Sequence, residues 1–317
     1  MWVVLAFISA LCLGFYDISK KVALRDNSAV DVLTASVLIS SGIVIVPLLL
    51  SRWMPEALYD TAFYVPEMDL RGHLLTLVKS VIVLSSWIFA YVSLKHLPIS
   101  LVSPWQATRP MWTLIGALLI FGERLNIWQW AGVILAIGSI FAFSFSNRTQ
   151  IPSGKSKRAR LAQLAKEPEA KYYVCLALAI LIGACSGLYD KYMMRQFDHN
   201  AVQVYYTLYQ AVMMTVFCYI HHRRHNTRPV LRPGESGLAL MAIPLISLFL
   251  VISDNVYMLA LQDPDSMIAV VSTIRRGGTV IGFAYGLLFL KEKDPWKKVL
   301  CMLGILTGLI CLALGSL

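Results

Sequence analysis

The chain has 317 residues, 57% of them hydrophobic and only 15% charged, with a mean hydropathy of +0.65. This composition lies outside the soluble range and defines an integral membrane protein. The formal net charge of +10 would suit nucleic acid in a soluble chain. Here most Lys and Arg stand in short loops between apolar runs, where they set topology, so no nucleic-acid partner is expected.

A helix crossing about 30 Å of hydrocarbon needs about 20 apolar residues. On that criterion the chain offers ten spans, at 2–24, 31–52, 73–94, 98–121, 126–146, 172–195, 201–222, 237–261, 266–290 and 297–316. The opening MWVVLAFISALCLGF has no basic n-region and runs straight into a spanning length, so a cleaved signal peptide is not expected. Between the second and third spans, Trp53–Arg71 holds two prolines and several acids and reads as an interfacial loop. Further on, Asn147–Lys171 is the long polar linker, and it divides the spans five and five.

The two halves look duplicated. GFYD at Gly14–Asp17 recurs as GLYD at Gly187–Asp190, and YVSLKHLPIS at Tyr91–Ser100 matches YMLALQDPDS at Tyr257–Ser266. The same register aligns Arg109 with Arg275, and FGER at Phe121–Arg124 and LKEK at Leu290–Lys293 close each fourth helix. An odd number of spans per copy makes the second copy enter the membrane inverted, a layout that places binding sites near mid-membrane. The expected fold is therefore all-α and integral to the membrane, with ten transmembrane helices as two inverted five-helix repeats: 1–146, a basic linker at 147–170, and 171–317.

Orientation follows from charge. Loops after the odd-numbered spans carry about 19 Lys and Arg against about 5 on the other side, which puts both termini outside the cytoplasm.

Charges inside the spans point to function, because each costs on the order of 3 kcal/mol at mid-depth. Arg109 sits in Ser103–Pro110, SPWQATRP, where two prolines disfavour an unbroken helix. Trp105, Gln106, Arg109 and Trp112 share a face, a stacking platform beside a cation. Arg275 and Arg276 precede a Gly-Gly pair in STIRRGGT, Ser272–Thr279. Adjacent positions point about 100° apart, and repeat symmetry favours Arg275 as the one facing substrate. A guanidinium suits bidentate carboxylate or phosphate.

Asp17, Asp190, Asp254 and Lys79 complete the set of charges within spans, and most of the seven must be paired or hydrated. Asp17 has Lys20 and Lys21 one turn on, an arrangement for a local ion pair. Asp190 has Met193 and Met194 at those places, making it the better candidate for coupling to a proton or sodium ion. Asp254 shares a face with Tyr257, and pairing with Arg275 or Arg276 is the structural alternative to a ligand role. Lys79, before Ser85-Ser86-Trp87, either lines a cavity or snorkels.

Other motifs carry less. The six cysteines lie in apolar stretches without metal-ligand spacing and read as packing residues. HHRRH, His221–His225, ends a span beside further arginines and reads as a membrane-surface anchor, not a metal tract. The sequon Asn147-Arg148-Thr149 falls in a loop assigned to the cytoplasm. Gly132, Gly138, Gly304 and Gly308 form small-residue seams for packing within the monomer, with a homodimer contact through Gly304 and Gly308 as the alternative. His73, His96 and His199 are isolated at span ends, which disfavours an integral-membrane enzyme.

Two blocks, LVSPWQATRPMWTLIGALLIFGERLNIWQWAGVILAIG at Leu101–Gly138 and IAVVSTIRRGGTVIGFAYGLLFLKEK at Ile268–Lys293, together with the five-plus-five layout, resemble the drug/metabolite transporter superfamily, EamA type. The resemblance implies a secondary transporter rather than an enzyme, and leaves cargo open among amino acids, nucleosides, sugar phosphates, nucleotide sugars and drugs. Organic-phosphate carriers of that superfamily also pair basic residues in the ninth helix. The expected function is movement of a small anionic or zwitterionic metabolite across the cytoplasmic membrane by alternating access. Substrate would meet Arg109, Arg275, Trp105, Gln106, Tyr257 and Lys79, with Asp190 and Asp254 for ion coupling. No catalytic residue, metal or cofactor is expected. The competing readings are a membrane enzyme, a non-transporting receptor or accessory subunit, and an exporter of lipophilic cations.

Overall fold

The computed structural model describes residues 1–24, 27–59, 61–96, 105, 108–146, 170–232, 238–278, 281 and 295–315. The described residues form α-helices and no strand. In chain order the helices are α1 (Trp2–Ala23), α2 (Ala29–Trp53), α3 (Pro55–Leu58), α4 (Leu70–His96), α5 (Arg109–Ile120), α6 (Ile127–Ser146), α7 (Ala170–Met194), α8 (His199–His225), α9 (Leu238–Gln262), α10 (Ile268–Arg276) and α11 (Pro295–Leu314).

Apart from the single turn α3, each helix falls on a stretch read as a span. Five of them, in α1, α2, α4, α7 and α9, are long and apolar enough to cross a membrane. The stretches covering α5, α6 and α11 are apolar but shorter among the described residues. In the fourth stretch α5 begins at Arg109, directly before Pro110, with Thr108 in a turn, and Pro104 lies outside the described residues. The linker 147–169, with its sequon, lies outside the described residues. So do 279, 280 and 282–294, and with them the LKEK motif.

The chain divides into two compact units, each drawing on both halves of the sequence. The first comprises 1–81, 189–267 and 274–290. Within it α1 packs along α9, and α2 packs against α8 and α9. Ala23, Val32, Ala242, Ile243 and Ile246 bury one apolar cluster, and Val44, Val65 and Val204 another. Polar stitches run alongside: Ser9 Oγ donates to Ser253 O at 2.8 Å, Ser253 Oγ returns to Ser9 O at 3.0 Å, and Ser247 Oγ reaches Ser36 O at 2.8 Å. Away from water, such bonds satisfy hydroxyl groups that lipid could not.

Helix α8 explains its own modest hydropathy. Its inward face is polar, with Asn200, Gln203, Thr207 and Gln210 buried. Two of their amides serve neighbours: Gln203 Nε2 donates to Val251 O at 3.0 Å and Gln210 Nε2 to Ser80 O at 2.9 Å. Asp198 caps its start by accepting from Asn200 N and Ala201 N, at 2.8 and 3.2 Å. Asn226, at φ 50°, ends it in the left-handed conformation that asparagine tolerates. The Trp53–Arg71 segment is pinned rather than loose, since Val65 N donates to Ser51 Oγ at 3.0 Å and Arg52 Nη1 to Val65 O at 3.2 Å.

Glycine sets one close approach in this unit. A Cβ on Gly278 would collide with Ala10 O and lie 3.1 Å from Gly14 N, so α1 and the turn after α10 meet backbone to backbone. Gly278→Val is expected to lower stability by about 1 to 3 kcal/mol through overpacking, because backbone cannot step aside as a side chain can. Thermal denaturation of the purified protein reads this out; an unchanged midpoint would refute the close contact.

The second unit comprises 82–188, 268–273 and 291–317. Here α6 lies against α11, with Gly132 facing Gly308 O and Gly308 facing Ala136 N, each 2.7 Å from the place of a Cβ. Gly132 and Gly308 thus pack within one chain, while Gly138 faces open space. A reciprocal capping box starts α6: Gln129 N donates to Asn126 Oδ1 at 2.9 Å and Asn126 N to Gln129 Oε1 at 3.0 Å.

Candidate substrate-binding site

The first unit gathers two ion pairs around buried tyrosines. Asp254 stands one turn before Tyr257 on α9, and both turn toward α10. There Arg275 Nη2 donates to Asp254 Oδ1 and, at 3.3 Å, to Ser253 Oγ, while the guanidinium lies 4.1 Å from the centre of the Tyr257 ring. The face shared by Asp254 and Tyr257 is therefore the face that holds Arg275, a cation–π contact added to a salt bridge. Arg275 Nε is buried and has no hydrogen-bond partner among the described residues.

The second pair joins α4 to α7. Lys79 Nζ donates to Asp190 Oδ1, with side chains only 3% and 10% exposed, and the ammonium sits 4.5 Å from the centre of the Tyr206 ring. Lys79 therefore neither snorkels nor stands alone, and Asp190 finds across the bundle the partner that Met193 and Met194 do not supply. The Tyr206 phenol is close enough to Asp190, Asp254 and Arg275 to feel the charge of all three. Tyr16, after Gly14 in the first GFYD motif, likewise feels Asp17, Asp254 and Arg275. Arg276 is within reach of Asp17 and Tyr257. Residues of the first unit, drawn from six helices, thus gather as two ion pairs and three phenols.

Next to Asp190, Lys191 is fully buried and fixes α7 to the α9–α10 connection. Its ammonium donates to Leu261 O and Asp263 O, both at 3.2 Å, and to Ser266 Oγ. The sequence pattern singles out Asp190 and passes over Lys191, because two of its partners are backbone carbonyls, which no pattern of side chains reveals.

Arg109 belongs to the other unit. Its Nη2 donates to Gly183 O at 2.6 Å, and a Cβ at Gly183 would stand 2.7 Å from Nη2 and 2.8 Å from Nε. Position 88, which precedes Arg109 as Asp254 precedes Arg275, is Ile88, so no aspartate stands there, and a backbone carbonyl accepts from the guanidinium. Gly183→Ala is expected to push the guanidinium off this carbonyl and to lower the melting midpoint, with Gly183→Ser worse; equal midpoints for all three would show that Arg109 does not lie along α7. Trp105 and Trp112 are both exposed. Gln106 lies outside the described residues. In the same unit Glu123, of the FGER motif, accepts from Ile268 N and Ala269 N at 2.6 and 3.1 Å, so its carboxylate caps the start of α10.

Helices with long apolar spans and a buried Lys79–Asp190 pair among them make this a multi-pass membrane protein. Residues 1–145 match the EamA-like transporter family. A crystal structure whose description gives no function has the same fold, with a TM-score of 0.72 at 12% sequence identity, covering 99% of this chain and 96% of that one. No curated protein matches the chain.

Proposed function

We propose that the protein is a secondary transporter that moves a small anionic or zwitterionic metabolite across the cytoplasmic membrane by alternating access. Ten helices would span the bilayer as two inverted repeats, 1–146 and 171–317, joined by the basic linker 147–170, with both termini outside the cytoplasm. The observation that carries the reading is the Arg275 guanidinium. It is partly buried, held in place by Asp254, Ser253 and Tyr257, with a buried Nε left unpartnered among the described residues. A carboxylate or phosphate oxygen of the substrate would fill that donor.

Arg109, with Trp105 and Gln106, would serve the equivalent purpose in the first repeat. Lys79–Asp190 and Asp254 are the groups whose pairing would change with a coupling proton or sodium ion. No phosphate-binding loop is visible in the sequence, so an ion or substrate gradient would drive the cycle.

Protein reconstituted in liposomes, tested with radiolabelled amino acids, sugar phosphates, nucleosides, carboxylates and lipophilic cations, tests this directly. Uptake of an anion or zwitterion that is lost in Arg275→Gln is expected. Uptake confined to lipophilic cations and unaffected by that substitution would overturn the proposal.

A further inference from the structure

At the far end of α8, one residue of the HHRRH tract turns away from the surface. His222 Nε2 lies 2.7 Å from Asp31 Oδ1, from the first turn of α2. Cys218, one turn earlier on α8, presents its thiol on the same side. The three donor atoms lie within 4.8 Å of one another, and all three residues are more than nine-tenths buried.

We propose that Asp31, Cys218 and His222 form a site for a divalent transition metal, with zinc the best fit. The donor set mixes imidazole, carboxylate and thiolate, which suits a borderline ion and excludes magnesium or calcium. Charge agrees: Asp31 and a Cys218 thiolate neutralise a 2+ ion, so the buried site would carry no net charge.

The outer contacts are those of a metal site as well. His222 Nδ1 lies 2.8 Å from Thr227 Oγ1, and Asp31 Oδ2 accepts from Val230 N at 3.4 Å, so ring and carboxylate are oriented from behind. Tetrahedral zinc with bonds of about 2.0 to 2.3 Å separates its ligand atoms by roughly 3.5 Å, within reach of side-chain adjustment from the present spacing. In the metal-bound form the metal takes His222 Nε2, Nδ1–H donates to Thr227, and Cys218 binds as the thiolate, so binding releases protons. Three protein ligands leave a fourth position for water or an incoming group, and the ion staples the start of α2 to the end of α8.

The purified full-length protein is titrated with cobalt(II) and then zinc(II). A thiolate-to-cobalt charge-transfer band in the near ultraviolet, saturating at one ion per chain and displaced by zinc, is expected. Cys218→Ser should abolish that band, and His221→Gln/His225→Gln should leave it intact, which separates the site from the neighbouring histidines of the tract. X-ray absorption at the zinc edge of the unsubstituted protein should show one sulfur neighbour, a readout that needs no variant to fold. Absence of the band and of the sulfur neighbour, or a band that survives Cys218→Ser, overturns the proposal and leaves Asp31–His222 as a metal-free hydrogen bond.

Discussion

Asp190→Asn is expected to destabilise the protein by about 3 to 5 kcal/mol, among the largest losses any single substitution here would cause. The aspartate is the partner of a lysine that is itself almost wholly enclosed. Removing one charge leaves the other buried and uncompensated, which costs more than the pair contributes. Lys79→Met should be comparably harmful for the mirrored reason. The double variant Lys79→Met/Asp190→Leu, by contrast, should recover most of the stability, because two apolar side chains need no partner. Denaturation midpoints of the four proteins form a double-mutant cycle; a double variant no more stable than the sum of the singles would show that the two residues do not interact. If the pair also serves coupling, the recovered double variant should fold yet fail to accumulate substrate against a gradient.

Arg275→Gln is expected to abolish ligand-induced stabilisation. A ligand at one hundred times its Kd stabilises the native state by about 2.7 kcal/mol, and losing that increment is visible as a melting curve that no longer shifts. The cause is specific: the neutral amide can neither neutralise Asp254 nor offer the guanidinium fork. Arg275→Lys should rescue part of the pairing with Asp254 without restoring the shift, since an ammonium has no planar fork to present to an oxyanion and stacks less well on Tyr257. A full shift in Arg275→Lys would mean that charge alone is recognised; a full shift in Arg275→Gln would remove Arg275 from the site.

The positions of the helices were legible because lipid imposes a long apolar run, and runs such as Ala29–Trp53 carry little else. The start of α5 was legible for an equally local reason, Pro110. A pairing of Asp254 with Arg275 or Arg276 could be named as one alternative from the charges within the spans, but which arginine it holds could not. Lys79 with Asp190 could not: the partners are 111 residues apart, and Met193 and Met194, where Asp17 has lysines one turn on, suggested a solitary charge. His222 was hidden by its neighbours, for a run of basic residues says nothing about which single ring faces Asp31. Glu123 was visible only as a repeat marker, since the groups it caps are amides of the backbone.

Lys191 constrains how the protein can move. Asp190 and Lys191 are successive residues, so any turning of α7 about its long axis that swung the aspartate to a new environment would also wrench the lysine from Leu261, Asp263 and Ser266. Swivelling is therefore the costly motion, and sliding or tipping with the 262–267 connection in tow is the cheap one. That connection leads straight into α10, the helix bearing Arg275, so a displacement that carried Lys191 along would also pull on the chain that holds the arginine.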